Sequence, residues 1–189
     1  MTKSSITDEK YHIGPVGPGY VQVYTGDGKG KTTAALGLAM RAAGAGLRVY
    51  IGQFIKEMEY GEIDMLRERF PEVEVELFGT PEGCIIDRDA DEEDRNAAKA
   101  GFAKAQEAMQ SGSFDLVILD ELAVAMSLGL VPEEDVLEMI RQKPEGVELV
   151  ITGRGASEEL VRCADLVTEM KEIRHYYRQG VLSRKGIEC

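Results

Sequence analysis

Residues Tyr20-Val21-Gln22-Val23-Tyr24-Thr25-Gly26-Asp27-Gly28-Lys29-Gly30-Lys31-Thr32-Thr33 decide how this chain folds, together with Ala34-Ala35-Leu36-Gly37-Leu38-Ala39-Met40-Arg41-Ala42-Ala43 behind them. Tyr20 to Tyr24 alternate β-branched and aromatic residues with a polar one and read as a strand. The run from Ala34 is rich in helix formers and reaches a stop signal at Gly44. A glycine-rich turn between a strand and a helix is the setting of a phosphate-binding loop. Its glycines let successive N–H groups face one point, and the helix N-terminus adds a partial positive charge. Lys31 would reach phosphate oxygens and the Thr32 hydroxyl would ligate Mg²⁺. The loop departs from the standard spacing, because Thr25 stands where the pattern wants its first glycine, while Gly26 and Gly28 lie inside. A dinucleotide fingerprint fails: counting from Gly26 its third glycine falls on Lys31, and from Gly28 on Thr33.

Working outward, strand-like and helix-like segments alternate. Leu47–Phe54, Val73–Phe78, Leu116–Leu119, Leu149–Thr152 and Asp165–Met170 read as strands. Gly61–Phe70, Asp91–Gln110, a helix opened by Pro132 and a short one near Ser157–Arg162 lie between them. The expected fold is therefore α/β: a three-layer, P-loop NTPase-like (RecA-like) domain with a mainly parallel sheet and helices on both faces. Residues 1–19, polar and then Gly/Pro-rich, are expected to form a flexible arm, and 20–189 one domain. Ligands of such folds sit at the carboxyl ends of the strands.

Composition narrows the partners. The 189 residues suffice for one well-filled core, with 43% hydrophobic and 30% charged. Twenty-two basic against 34 acidic residues give a net charge of −12, which disfavours nucleic acid and anionic membranes. Three scattered cysteines, no membrane-length apolar run and no signal-like start point to a reducing, cytoplasmic setting.

Asp115-Leu116-Val117-Ile118-Leu119-Asp120-Glu121 is an apolar strand that ends in two carboxylates. Beside a phosphate loop, Asp120 and Glu121 are candidates to hold Mg²⁺ with Thr32, although acids at a strand end also cap helices. Gln53 and Lys56 close the second strand, and Arg154 stands between Gly153 and Gly155 after another. The tail from Lys171 to Lys185 carries five basic residues and one acid, Glu172, and with His175, Tyr176 and Tyr177 could line an anionic or flat ligand. No cysteine or serine stands in a nucleophile-elbow context, so the attacking group belongs to the other substrate. A small-molecule kinase, an ATPase or a nucleotide-dependent switch would use the same loop and acidic strand end.

Taken together, the loop from Thr25 to Thr33, Gln53-Phe54-Ile55-Lys56, Leu119-Asp120-Glu121-Leu122, Ile151-Thr152-Gly153-Arg154-Gly155, Ala164 to Met170, His175 and Gly186-Ile187 resemble the P-loop type ATP:corrinoid adenosyltransferases. The resemblance spans Tyr20 to the end, and the shortened loop is one of its hallmarks. It implies that a corrinoid's Co(I) attacks C5′ of ATP and that tripolyphosphate leaves. It implies a loop, Gly26, Asp27, Gly28, Lys29, Gly30, Lys31, Thr32 and Thr33, holding the triphosphate in reverse, with Lys31 neutralising charge. Thr32 and Glu121 would ligate Mg²⁺ with Asp120 in support, and Gln53, Arg154 and His175 would contact the substrates. Whether Mn²⁺ substitutes, and whether cobalamin or an incomplete corrinoid is the acceptor, stay open. A homodimer, with the arm over a corrinoid site, and a flavoprotein or other reductase as electron donor complete the expectation. Better-known members carry aromatic residues where this chain has Gly83-Cys84-Ile85-Ile86, the segment expected to face the corrinoid's lower side. Cys84 is read there as packing, not as a cobalt ligand. Cys189 replaces a common terminal tyrosine.

Overall fold

The computed structural model describes residues 17–55, 61–80 and 89–188. Six strands form one sheet: β1 Val21–Thr25, β2 Val49–Phe54, β3 Val73–Phe78, β4 Leu116–Asp120, β5 Glu148–Thr152 and β6 Leu166–Glu169. Their order is β3-β2-β4-β5-β1-β6, and every neighbouring pair is parallel. The helices are α1 Lys31–Gly44, α2 Gly61–Arg69, α3 Glu92–Gln110, α4 Leu122–Ser127, α5 Glu133–Arg141 and α6 Glu158–Cys163. A 3₁₀ turn, Tyr176–Gln179, lies in the C-terminal tail. The expected α/β architecture is thus present, and α4 is added to it.

Central strands β2 and β4 are buried along their whole length, as continuous apolar runs must be when helices cover both faces. Alternation divides them between two cores. Val117 and Leu119 face a cluster with Phe102, Met109, Val136 and Leu160. Leu116 and Ile118 face the other, where the small Ala35 and Ala39 of α1 meet Ile63 and Leu66 of α2. This is the three-layer arrangement in packing terms.

Local signals set the helix ends. Asp91 accepts from the Asp94 N–H at 3.0 Å while Asp94 accepts from the Asp91 N–H at 2.9 Å, a capping box that starts α3. Ser157 accepts from the Leu160 N–H at 3.1 Å and starts α6. Asp94 is almost fully buried and also receives the Thr80 hydroxyl at 2.6 Å, which joins α3 to the segment after β3.

Register fixes what meets at the carboxyl edge. Gln53 pairs with Asp120 across β2 and β4, and Leu119 pairs with Ile151 across β4 and β5. Gln53, Asp120 and Thr152 therefore end adjacent strands side by side. The loop after β1 joins them, because β1 adds next to β5 with Tyr24 opposite Thr152. Among the described residues, no helix is long and apolar enough to cross a membrane.

Candidate active site

The glycine-rich loop, Gly26 to Gly30, leaves β1 and feeds α1 at Lys31. Gly26 has φ 93° and Gly30 φ 123°, conformations open to glycine and strained for other residues. Met170, just past β6, braces the loop: its N–H donates to Thr25 at 2.8 Å and its carbonyl accepts from the Gly28 N–H at 2.6 Å. A Cβ at Gly28 would lie 2.6 Å from that carbonyl oxygen, and one at Gly26 2.5 Å from it. The glycines are required here by the closeness of the β6 backbone as well as by the turn.

Lys31 is buried, at 7% exposure. Its ammonium donates to the carbonyls of Gly26 at 2.6 Å and Gly28 at 2.8 Å, and has a third N–H to give. Desolvation by burial holds its pKa below the ordinary lysine value, against the opposing pull of Glu121. The cation is therefore stored in a dry loop and gains from any anion brought to it.

Asp120 is the centre of the polar network. It is 2% exposed, and three side chains converge on its carboxylate. Thr32 donates its hydroxyl at 3.0 and 3.1 Å to the two oxygens, Gln53 Nε2 donates at 2.9 Å to Oδ2, and Thr152 donates at 2.6 Å to Oδ1. Because Thr32 gives its single proton to Asp120, its lone pairs are left for a cation. Among the described residues, Gln53 Oε1 is a buried acceptor without a hydrogen-bond partner. Glu121 follows in the left-handed region, φ 59°, half-buried, with its N–H held by the Thr152 hydroxyl at 3.0 Å. Ile55, one residue past β2, is left-handed as well, φ 71°. A β-branched residue there is strained, and such strain gathers at functional sites.

A closed all-protein cage for Mg²⁺ is not what these residues offer. Among the described residues, no group of three or more His, Cys, Asp or Glu side chains forms a metal cage. Thr32, Glu121 and Gln53 Oε1 suit an ion that keeps waters and shares its coordination with substrate phosphates, as Mg²⁺ does.

Beyond the loop, a cavity of about 360 Å³ is lined by Asp27, Arg154, Glu169, Lys171, Glu172 and Arg178. Arg178 pairs with Glu172 at 2.6 Å. Arg154 and Asp27 thus share one polar hollow, while Lys29 turns outward and donates to the Ile187 carbonyl at 2.8 Å. Thr33 is exposed at the start of α1. His175 caps the 3₁₀ turn, its Nδ1 accepting from the Tyr177 N–H at 3.1 Å, with the Tyr176 ring 4.9 Å away. Cys84, Ile85, Ile86 and Lys56 lie outside the described residues, as do residues 1–16. The sequence reading placed Thr152 and Met170 in motifs of the family resemblance but gave neither a role. A threonine that closes a strand beside the acidic one was the available signal for Thr152. Nothing local marks Met170.

The family model described as ATP:corrinoid adenosyltransferase BtuR/CobO/CobP matches residues 18–189. A corrinoid adenosyltransferase of Pseudomonas aeruginosa is 34% identical over 186 residues, 98% of this chain and 91% of that one. One from Escherichia coli K12 is 35% identical over 171 residues, 90% and 85% of the two chains. The cytoplasmic domain of EssC superposes with TM-score 0.51 at 19% identity, over 88% of this chain and 34% of that longer one, a likeness of fold alone. With a glycine-rich loop between β1 and α1, an acidic strand end and a family match that covers nearly all of its length, this chain belongs to the ATP:corrinoid adenosyltransferases.

Proposed function

We propose that this protein transfers the 5′-deoxyadenosyl group of ATP to the Co(I) centre of a corrinoid and releases tripolyphosphate. The observation that carries the reading is the convergence of Lys31, Thr32, Asp120 and Gln53 at one sheet edge, in a chain that matches the family over residues 18–189. The electron pair of Co(I) forms the bond to C5′ as the C5′–O bond breaks, and that bond's electrons leave with the phosphate chain. Cobalt brings the nucleophile, so the polypeptide's work is orientation and stabilisation of the departing charge.

Loop N–H groups and the Lys31 ammonium meet that charge. Seated in a dry loop, the ammonium interacts with it more strongly than it would in water. Mg²⁺, when bound, would supply further neutralisation of the phosphates. Thr32 and Glu121 would hold it, Asp120 would orient Thr32, and Gln53 would steady Asp120 through its amide N–H. Arg154 and the charged cavity beside Asp27 suit the outer part of the phosphate chain. The triphosphate then lies with its terminal phosphates on the loop and C5′ turned outward, towards the corrinoid. His175, Cys84, Ile85 and Ile86 belong to the corrinoid side in this reading. A homodimer, an external reductase and a cytoplasmic location complete it.

The test is product identity. Under strongly reducing, anaerobic conditions, the protein with ATP, Mg²⁺ and either cobalamin or cobyrinic acid a,c-diamide is expected to give a light-sensitive alkylcobalt product and tripolyphosphate. Formation of ADP without an alkylcobalt product would overturn the reading.

A further inference from the structure

We propose that Thr152 is the positioning residue for the carboxylate pair Asp120–Glu121, with one hydroxyl serving both acids. Thr152 ends β5 and is fully buried. A hydroxyl has one proton to give, and here it goes to Asp120 Oδ1 at 2.6 Å. Its lone pair accepts the Glu121 N–H at 3.0 Å. The chain N–H to O–H to carboxylate runs in one direction, so each bond polarises the next.

Both ends of this relay need it. Glu121 stands in the left-handed region and caps α4 without a side-chain hydrogen bond to that helix. Its N–H would be costly to bury unpaired, and the Thr152 hydroxyl supplies its partner. Asp120 Oδ1 is shared between Thr152 and Thr32, and Oδ2 between Gln53 and Thr32. With the Thr152 donor removed, the carboxylate is free to rotate towards Gln53, and the Thr32 hydroxyl turns with it. Gly153 makes the placement possible, since its φ is 141° and a Cβ there would come within 2.8 Å of the Val124 nitrogen in α4. The packing of α4 against the β5 end therefore holds the hydroxyl at a fixed height above the acidic pair.

The inference rests on the reading of Thr32 and Glu121 as holders of the metal–ATP complex, and its test separates the two. Three substitutions are compared. Thr152→Val keeps the shape and loses the hydroxyl, Thr152→Ser keeps the hydroxyl, and Thr152→Cys is close in size with a weak donor. First, amide hydrogen exchange at Glu121 is followed by NMR in the nucleotide-free protein. We expect exchange at least tenfold faster in Thr152→Val and near wild type in Thr152→Ser. Second, Mn²⁺ binding in the presence of ATP is followed by electron paramagnetic resonance. Loss of an outer-shell partner of this kind costs about 10- to 100-fold in metal affinity. We expect that loss in Thr152→Val, an intermediate one in Thr152→Cys, and ATP binding in EDTA within about twofold of wild type in each. Unchanged Glu121 exchange in Thr152→Val overturns the proposal, as does a Thr152→Ser protein as impaired as Thr152→Val. Should Thr152→Val not fold, the Cys and Ser pair decides by the same two readouts. A wild-type protein that binds no Mn²⁺ with ATP sinks the metal reading instead, and leaves the Glu121 exchange result to judge Thr152.

Discussion

Lys29 donates from its ammonium to the main-chain carbonyl of Ile187 at 2.8 Å, and so ties the glycine-rich loop to the C-terminal tail. The tail it holds is a small unit of its own. Arg184 pairs with Glu188 at 2.9 Å and lies over the Tyr176 ring at 5.1 Å, and Tyr176 donates to Glu188. The Lys29–Glu188 ion pair is long, 4.0 Å, and the lysine side chain is 43% exposed. Exposed contacts of this kind contribute little to global stability. Lys29→Ala is therefore expected to leave thermal unfolding within about 0.5 kcal/mol of wild type. It is expected to speed tryptic cleavage at Arg184 and Lys185, as a timed digest followed by mass spectrometry will show. An unchanged digest means that Lys29 is not the tether.

Acid should loosen the same unit. Hydrogen bonds from Arg184 and then Tyr176 hold the Glu188 carboxyl down at about 2, against an ordinary 4.5. A carboxyl depressed in the fold stabilises it fully above the ordinary value and loses that contribution as pH falls through the folded one. The tail is thus expected to stay docked at neutral pH and to release between pH 4.5 and about 2. Side-chain NMR titration of Glu188 checks this, with Arg184→Ala returning its midpoint towards 4.5.

Gly28→Ala tests the brace under the loop. The added methyl would meet a backbone carbonyl, Met170 O, at 2.6 Å, and no side-chain rotation relieves that. Nucleotide affinity is expected to fall at least tenfold, by calorimetry. Met170→Ala added to it should restore nothing, since only the main chain is in the way. Recovery in the double variant would show that the Met170 side chain, and not the β6 backbone, sets the loop.

Glu121→Gly separates stability from function. Left-handed backbone costs a non-glycine residue roughly 1–2 kcal/mol, while glycine loses about 0.5–1 kcal/mol through its greater freedom. The two nearly cancel, so the midpoint of thermal unfolding should hold or rise slightly. Adenosyl transfer should fall steeply, because the carboxylate is gone. A protein that kept its activity would remove Glu121 from the site.

Asp94→Ala is expected to do the reverse. It removes the half of the α3 capping box in which Asp94 accepts the Asp91 N–H, and the acceptor of the Thr80 hydroxyl at 2.6 Å, while Asp91 still caps the backbone N–H of residue 94. Each lost hydrogen bond to a charged acceptor costs about 1.5–3 kcal/mol, offset in part by the burial cost of the carboxylate itself. Chemical denaturation should report a loss of at least about 1.5 kcal/mol, with ATP affinity in the folded protein unchanged.

What the sequence revealed depended on whether a pattern was local. The order of strands and helices could be read because β4 is an unbroken apolar run and β3 alternates, and each signal lies within a few residues. Thr32 and Asp120 could be paired in advance because phosphate-loop chemistry needs a hydroxyl and a carboxylate together. Gln53 was visible as a polar strand end, but its partner was not. The Gln53–Asp120 contact follows from the register of β2 on β4, which no local spacing encodes. The bracing role of Met170 was hidden for the same reason. It acts through its backbone, and any residue at that position would offer the same N–H and carbonyl.

Lys31→Met gives the sharpest reading of the loop. Methionine keeps most of the buried stem and removes the ammonium that donates to Gly26 and Gly28 at 2.6 and 2.8 Å. Burying an ammonium is itself costly, so stability should change little even though two carbonyls lose a donor. Catalysis should not be spared, since a donor preorganised on developing charge is worth about 10²- to 10³-fold in rate. The expected result is a drop of that size in kcat/KM for ATP, with an unfolding midpoint close to wild type. Tripolyphosphate, offered alone as an inhibitor, should lose affinity in parallel, because it presents the same charge to the same loop. If kcat/KM fell while tripolyphosphate bound as before, Lys31 would be acting on the nucleoside end, and the orientation of the phosphate chain proposed above would have to be reversed.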